Sequence, residues 1–122
     1  MKLGKLGVWG MLDKLTAAET AALAQRVEAW GYSALWQAEG FGRDVMVESA
    51  WITAHTSRLI AASGIANIYA RDPVCTKGAQ YALEEQAPGR FLLGLGVSHG
   101  MVVEWRGHAY RKPVEAMRDY LT

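Results

Sequence analysis

Four short apolar runs, at residues 6–9, 33–37, 59–69 and 91–96, are each followed by a polar turn and then by a stretch with helical spacing. This βαβαβαβα order constrains the fold more than any other feature. The runs are apolar throughout instead of alternating, as in strands buried on both faces, and helical crossovers between such strands make a parallel sheet. Alternation alone fits an open doubly wound sheet as well as a closed barrel. The 122 residues contain no linker, low-complexity tract or further repeat, so one domain, 1–122, is expected.

Local signals place the helices. Thr16 and Glu19 stand at capping-box spacing, and Leu23, Val27 and Trp30 then form a stripe that ends at Gly31. Residues 44–57 carry Val47, Ala50, Trp51 and Ala54 at helical spacing. Asp72 followed by Pro73 is an acidic cap with proline at the first helical position; Ala79, Leu83 and Gln86 follow, and Pro88-Gly89 stops the helix. After a long loop, Pro113 opens a last helix with Val114, Met117 and Leu121 on one side.

Charge and cysteine content remove several classes of function. Thirteen basic residues against twelve acidic ones give no reason to expect nucleic acid or an anionic membrane as partner. No stretch approaches the ~18 apolar residues of a membrane span, and no signal-peptide run follows Met1, so a cytoplasmic location is expected. Cys75 is the only cysteine, which excludes an internal disulfide and a paired-cysteine metal site; no metal is expected. No Ser/His/Asp set, His-x-x-x-His pair or P-loop is present. Five tryptophans point to large apolar contacts or a pocket for a planar ligand.

In parallel α/β folds, function collects at the carboxyl ends of the strands, here residues 10–15, 38–43, 66–72 and 97–112. Glu39 follows the second strand and is either a solvated or capping acid or a pocket residue. Gly64 interrupts the third strand, where a glycine serves packing, a bulge or close approach of a ligand. Arg71-Asp72-Pro73 is most simply a helix cap with an ion pair. The run from Gly94 through Gly96, Val97, Ser98 and His99 to Gly100 offers backbone amides and two polar side chains, without the spacing of a dinucleotide fingerprint. His99 is either a solvated loop residue or an acid–base group.

Several segments together resemble the luciferase-like monooxygenase superfamily, especially its deazaflavin (coenzyme F420)-dependent branch. They are residues 28–36 (Glu-Ala-Trp-Gly-Tyr-Ser-Ala-Leu-Trp) with Glu39, residues 65–73 ending in Arg71-Asp72-Pro73, and residues 88–100 with their Pro-Gly-Arg-Phe-Leu-Leu-Gly-Leu-Gly core. Residues 110–117 close the likeness. The resemblance implies a (β/α)8 barrel, of which this chain is the N-terminal half with four βα units; a whole barrel takes about 250 residues. It also implies hydride transfer with coenzyme F420, or oxygen activation if the cofactor is FMN, acting on a small-molecule substrate. By the same likeness, Gly64 and Ile65 form a non-proline cis bulge under the ring, and Asn67, Val97 and Ser98 line it. Glu39 and His99 are the candidate catalytic, proton-handling or anchoring groups. Two free strand edges and an open apolar interior lead to the expectation of a homo-oligomer or a completing half-barrel. The alternatives are a non-catalytic flavin-binding or assembly module, or a truncated fragment without activity.

Overall fold

The computed structural model describes residues 1–122. Its main sheet is parallel, in the order β1 (Gly7–Gly10), β2 (Ala34–Gln37), β3 (Ile60–Ser63) and β5 (Phe91–Leu92); β4 (Ala66–Asn67) and β6 (Leu95–Gly96) pair separately, also in parallel. The helices are α1 (Ala17–Ala29), α2 (Val45–Ala54), α3 (Pro73–Gln86), α4 (Gly100–Trp105) and α5 (Pro113–Leu121). The chain is α/β, with the consecutive strands of a parallel (β/α)8 barrel lying side by side and their helices outside.

The third and fourth apolar runs are each broken into two short strands. The breaks face one another, so that β3 pairs with β5 below them and β4 with β6 above. A continuous strand over 59–69 is therefore corrected to two strands separated at Gly64–Ile65, and 91–96 to two strands separated at Leu93–Gly94.

Alternation along the strands separates two faces. Val8, Leu35 and Ala61 point outward into a core made with Ala24 and Val27 of α1 and Ile52 of α2. Trp9, Trp36 and Ala62, which are in register across β1, β2 and β3, therefore occupy the inner face. A second core joins Val45, Met46, Ala66, Leu83 and Phe91.

The caps form as their spacing predicts. Thr16 and Glu19 make both bonds of a capping box, and Asp72 caps α3; α2 is capped by Asp44, which was not read as a cap from the sequence. Two helix faces differ from expectation. Trp30 is the exposed C-cap of α1, and the buried stripe is Thr20, Ala21, Ala24 and Val27. On α2 the buried residues include Met46, Ser49, Ile52 and Thr53, while Val47 and Trp51 stand exposed. The helix is apolar nearly all round, so apolar spacing does not identify its inner face. Its polar inner residues are satisfied locally: Ser49 accepts from Gln37 Nε2 at 2.9 Å, and Thr53 donates to the Ser49 carbonyl at 3.0 Å.

The Pro-Gly-Arg-Phe turn has a structural job. Arg90 donates to the carbonyls of Thr53, at 2.8 Å, and Thr56, at 3.0 Å, satisfying the C-terminal end of α2. No helix of the structure is long and apolar enough to cross a membrane.

Candidate functional site

The carboxyl ends of β2 and β3 meet at the Gly64–Ile65 turn, whose peptide bond is cis, at the position where the resemblance implies one. Two indoles flank it. Trp9 Nε1 donates to the Gly64 carbonyl at 2.9 Å, and a Cβ at Gly64 would sit 3.3 Å from Trp36 and 3.5 Å from Trp9. Gly64 thus lets the chain run close beneath both rings. Trp9 is 59% exposed, which leaves an open aromatic surface beside the turn.

Above the turn, Ile65 packs on Gly96, where a Cβ would approach its side chain to 2.6 Å. Asn67 is fully buried. Its N–H donates to Glu39 at 2.7 Å, and its side-chain oxygen accepts from the Tyr69 N–H at 2.9 Å. Its Nδ2 is buried without a partner in the protein.

Glu39 is a buried, paired carboxylate. It accepts both guanidinium nitrogens of Arg71 (one pair at 2.9 Å), the Asn67 N–H, and the Val45 N–H at 3.4 Å. Its own N–H donates to the Ile65 carbonyl at 3.2 Å. Arg71 also reaches Asp44 at 3.0 Å. Burial alone would lower the Arg71 pKa; the Glu39 and Asp44 carboxylates outweigh it and raise that pKa, so the guanidinium stays charged. Burial likewise pushes Asp44 up, but Arg71 and the Val47 and Met46 N–H groups hold its carboxyl below the ordinary value.

Val97 and Ser98 are half-buried where β6 ends, and Ser98 has a left-handed backbone, φ 60°. His99 is exposed at the N-terminal end of α4. The structure therefore gathers Glu39, Gly64, Ile65 and Asn67 into one bonded cluster, with Val97 and Ser98 following β6, the partner strand of β4. No hydrogen bond joins His99 to Glu39.

Three features were not read from the sequence. Arg71 pairs with Glu39 and Asp44 while Asp72 does the capping, and a single sequence carries no signal for a pair 32 residues apart. Trp9 and Trp36 become neighbours only through strand register. Residues 97–112 include the helix α4, which folds back over the second strand's loop: Arg106 donates to the Gly40 carbonyl at 3.0 Å, and Trp105 meets Phe41 edge-on at 4.9 Å.

A surface depression of about 640 Å³ lies on the outer helical layer and is lined by Ala17, Val47, Ala50, Trp51 and Ala54, among others. It includes none of the residues around the Gly64–Ile65 turn.

Comparison with known proteins decides the family: residues 3–122 match the model for luciferase-like monooxygenases. The chain belongs to the luciferase-like monooxygenase family. A putative coenzyme F420-dependent oxidoreductase of Mycobacterium tuberculosis is 35% identical over 99% of this chain, which covers 35% of that protein. The coenzyme F420-dependent tetrahydromethanopterin reductase of Methanopyrus kandleri superposes with a TM-score of 0.83 at 19% identity, over 98% of this chain and 39% of the reductase. The oxygenating constituent of 3,6-diketocamphane monooxygenase from Pseudomonas putida, in complex with FMN, gives 0.80 at 13% identity, over 94% and 37% of the respective chains. At these identities the two structures speak for the fold alone. The luciferase-like chain described here spans roughly a third of the length of the curated relatives it matches.

Proposed function

We propose that the chain supplies the ring-binding half of an F420-dependent oxidoreductase acting on a small-molecule substrate. The observation that carries this reading is the Gly64–Ile65 turn, set between the indoles of Trp9 and Trp36, with the unpartnered Asn67 Nδ2 buried just beyond it. A planar, carbonyl-bearing ring fits that surroundings chemically: indole faces and Ile65 offer apolar contact, and Asn67 Nδ2 is a buried donor in need of an acceptor.

When bound, the deazaflavin supplies hydride transfer, and FMN would supply oxygen activation instead. Gly64, Ile65, Asn67, Val97 and Ser98 would hold and orient the ring. His99, exposed at the N-terminal end of α4, would be the candidate to handle a proton, because the oxygens of Glu39 are already engaged. The F420-dependent relative at 35% identity favours F420 over FMN.

The sheet supports a completed assembly. β1 pairs only with β2, and β5 only with β3, so both outer edges are unpaired. Such edges seek a partner. We therefore propose that further βα units, from a second copy or a completing half-barrel, close the inner face. Fluorescence titration with F420 and FMN tests the ring site, with light scattering on the same sample: saturable binding by an assembly supports it, and a folded chain that binds neither opposes it.

A further inference from the structure

We propose that Arg71 is a positioning residue for the ring-binding turn, acting through Glu39; this rests on the ring-binding reading above. Glu39 holds the exit of the turn through two backbone contacts. Its N–H holds the Ile65 carbonyl, and its carboxylate holds the Asn67 N–H, so it grips the chain on both sides of Ala66. Through the Val45 N–H it also reaches the start of α2. One residue at the end of β2 thereby fixes the exit of the turn on the neighbouring strand.

A carboxylate rotates about its last bond unless something sets its plane. Arg71 does so with two parallel N–H donors, one to each oxygen, the fork geometry that a lysine cannot reproduce. Asp44 accepts from the same guanidinium at 3.0 Å, and the Tyr120 hydroxyl donates to the Arg71 carbonyl at 3.0 Å, which adds α5 to the assembly. The side chains of Glu39 and Arg71 are only 2% and 6% exposed. Burying an ion pair brings little net stability compared with an apolar replacement of the same shape. Directional grip on the Asn67 backbone is what an apolar pair would not provide, and that backbone sets where the free Nδ2 sits.

The proposal separates positioning from plain stability. Glu28 is the internal control: it too grips consecutive backbone N–H groups, those of Ser57, Arg58 and Leu59, but just before β3 begins, at the opposite end of the sheet from the turn. Arg71→Gln, Arg71→Lys, Glu39→Gln and Glu28→Gln would be compared with the unaltered chain at a temperature where all are folded. Two readouts are needed: amide exchange at Asn67 without ligand, and the Kd for F420 and for FMN by tryptophan quenching. Arg71→Gln is expected to speed Asn67 exchange and raise the Kd, each by about tenfold, the scale of one charge-assisted bond. Arg71→Lys should fall between it and the unaltered chain, and Glu28→Gln should move neither readout while lowering the thermal midpoint. If Arg71→Gln does not fold, Arg71→Lys and Glu39→Gln carry the same comparison.

An Arg71→Gln chain that melts earlier yet keeps the original Asn67 exchange and Kd would overturn the positioning role and leave the ring site standing. An unaltered chain that binds neither ring would overturn the ring-binding reading, and the positioning role with it. In that case fast Asn67 exchange in Arg71→Gln would mark a structural tie only.

Discussion

The Ser63 hydroxyl donates to the Gly94 carbonyl at 2.9 Å and accepts from the Gly94 N–H at 2.8 Å. One buried side chain thus stands in for the ladder where β3 and β5 have ended and β4 and β6 have not begun. It carries the sheet across the break that creates the Gly64–Ile65 turn.

Gly94 is required there by space. A Cβ would lie 2.2 Å from the Ser63 carbonyl oxygen, and backbone cannot swing away as a side-chain tip can. Gly94→Ala should cost about 3 kcal/mol, as forced overpacking does. Ser63→Ala should cost about 2 kcal/mol by leaving the Gly94 N–H unpaired, while the Gly94 carbonyl keeps the Ala66 N–H. Urea denaturation measures both, and an unchanged midpoint for either would contradict the bridge.

Gly78 gives the opposite expectation. It lies inside α3, and a Cβ there meets nothing within 4 Å. Gly78→Ala should raise stability by about 0.5–1 kcal/mol through helix propensity. A loss on the same denaturation curve would show that α3 is not packed as described.

Arg90→Ala removes the donors that close the end of α2 and leaves the carbonyls of Thr53 and Thr56 without them. The expected loss is about 2–3 kcal/mol, the range for bonds made by a charged donor. Arg90→Lys should recover only part of it, because one ammonium cannot span both carbonyls with a fixed fork.

Acid stability should follow the carboxylates held by backbone N–H groups. Burial would raise Glu28, but the N–H groups of Arg58, Leu59 and Ser57 outweigh it and bring its pKa down; Asp44 is also lowered. Both then bind fewer protons folded than unfolded, so their contribution is full above the ordinary carboxyl range. It is lost as pH falls through about 4 and below. Glu48 runs the other way: burial raises its pKa against the pull of Arg43, so acid relieves a cost. Glu28→Gln should flatten the loss of thermal stability between neutral pH and pH of about 3, and Glu48→Gln should steepen it. The reverse order would contradict these assignments.

The parts of this fold set by local chemistry were legible in the sequence. The caps at Thr16 and Asp72 depend on residues a few positions apart, and each forms. The alternation of strands and helices and the parallel pairing followed from continuous apolar runs, while the side-by-side order of a barrel followed from the family resemblance. What stayed hidden depends on distant pairs: Arg71 with Glu39, Ser63 with Gly94, Trp9 with the Gly64 carbonyl. The buried face of α2 was hidden for a different reason, since the helix is apolar on both sides and its inner polar residues are satisfied, Ser49 by Gln37 of β2 and Thr53 by its own helix. Gly64 was visible as an anomaly in a strand, but its job became clear only with two indoles beside it.

A ring site at the Gly64–Ile65 turn is tested most directly by titrating the chain with F420 and with FMN, following tryptophan fluorescence in parallel with Trp9→Phe and Trp36→Phe variants. Saturable quenching by F420 is expected, with a smaller amplitude when either indole is replaced. A folded chain whose fluorescence is unmoved by both cofactors would contradict a ring site at the Gly64–Ile65 turn.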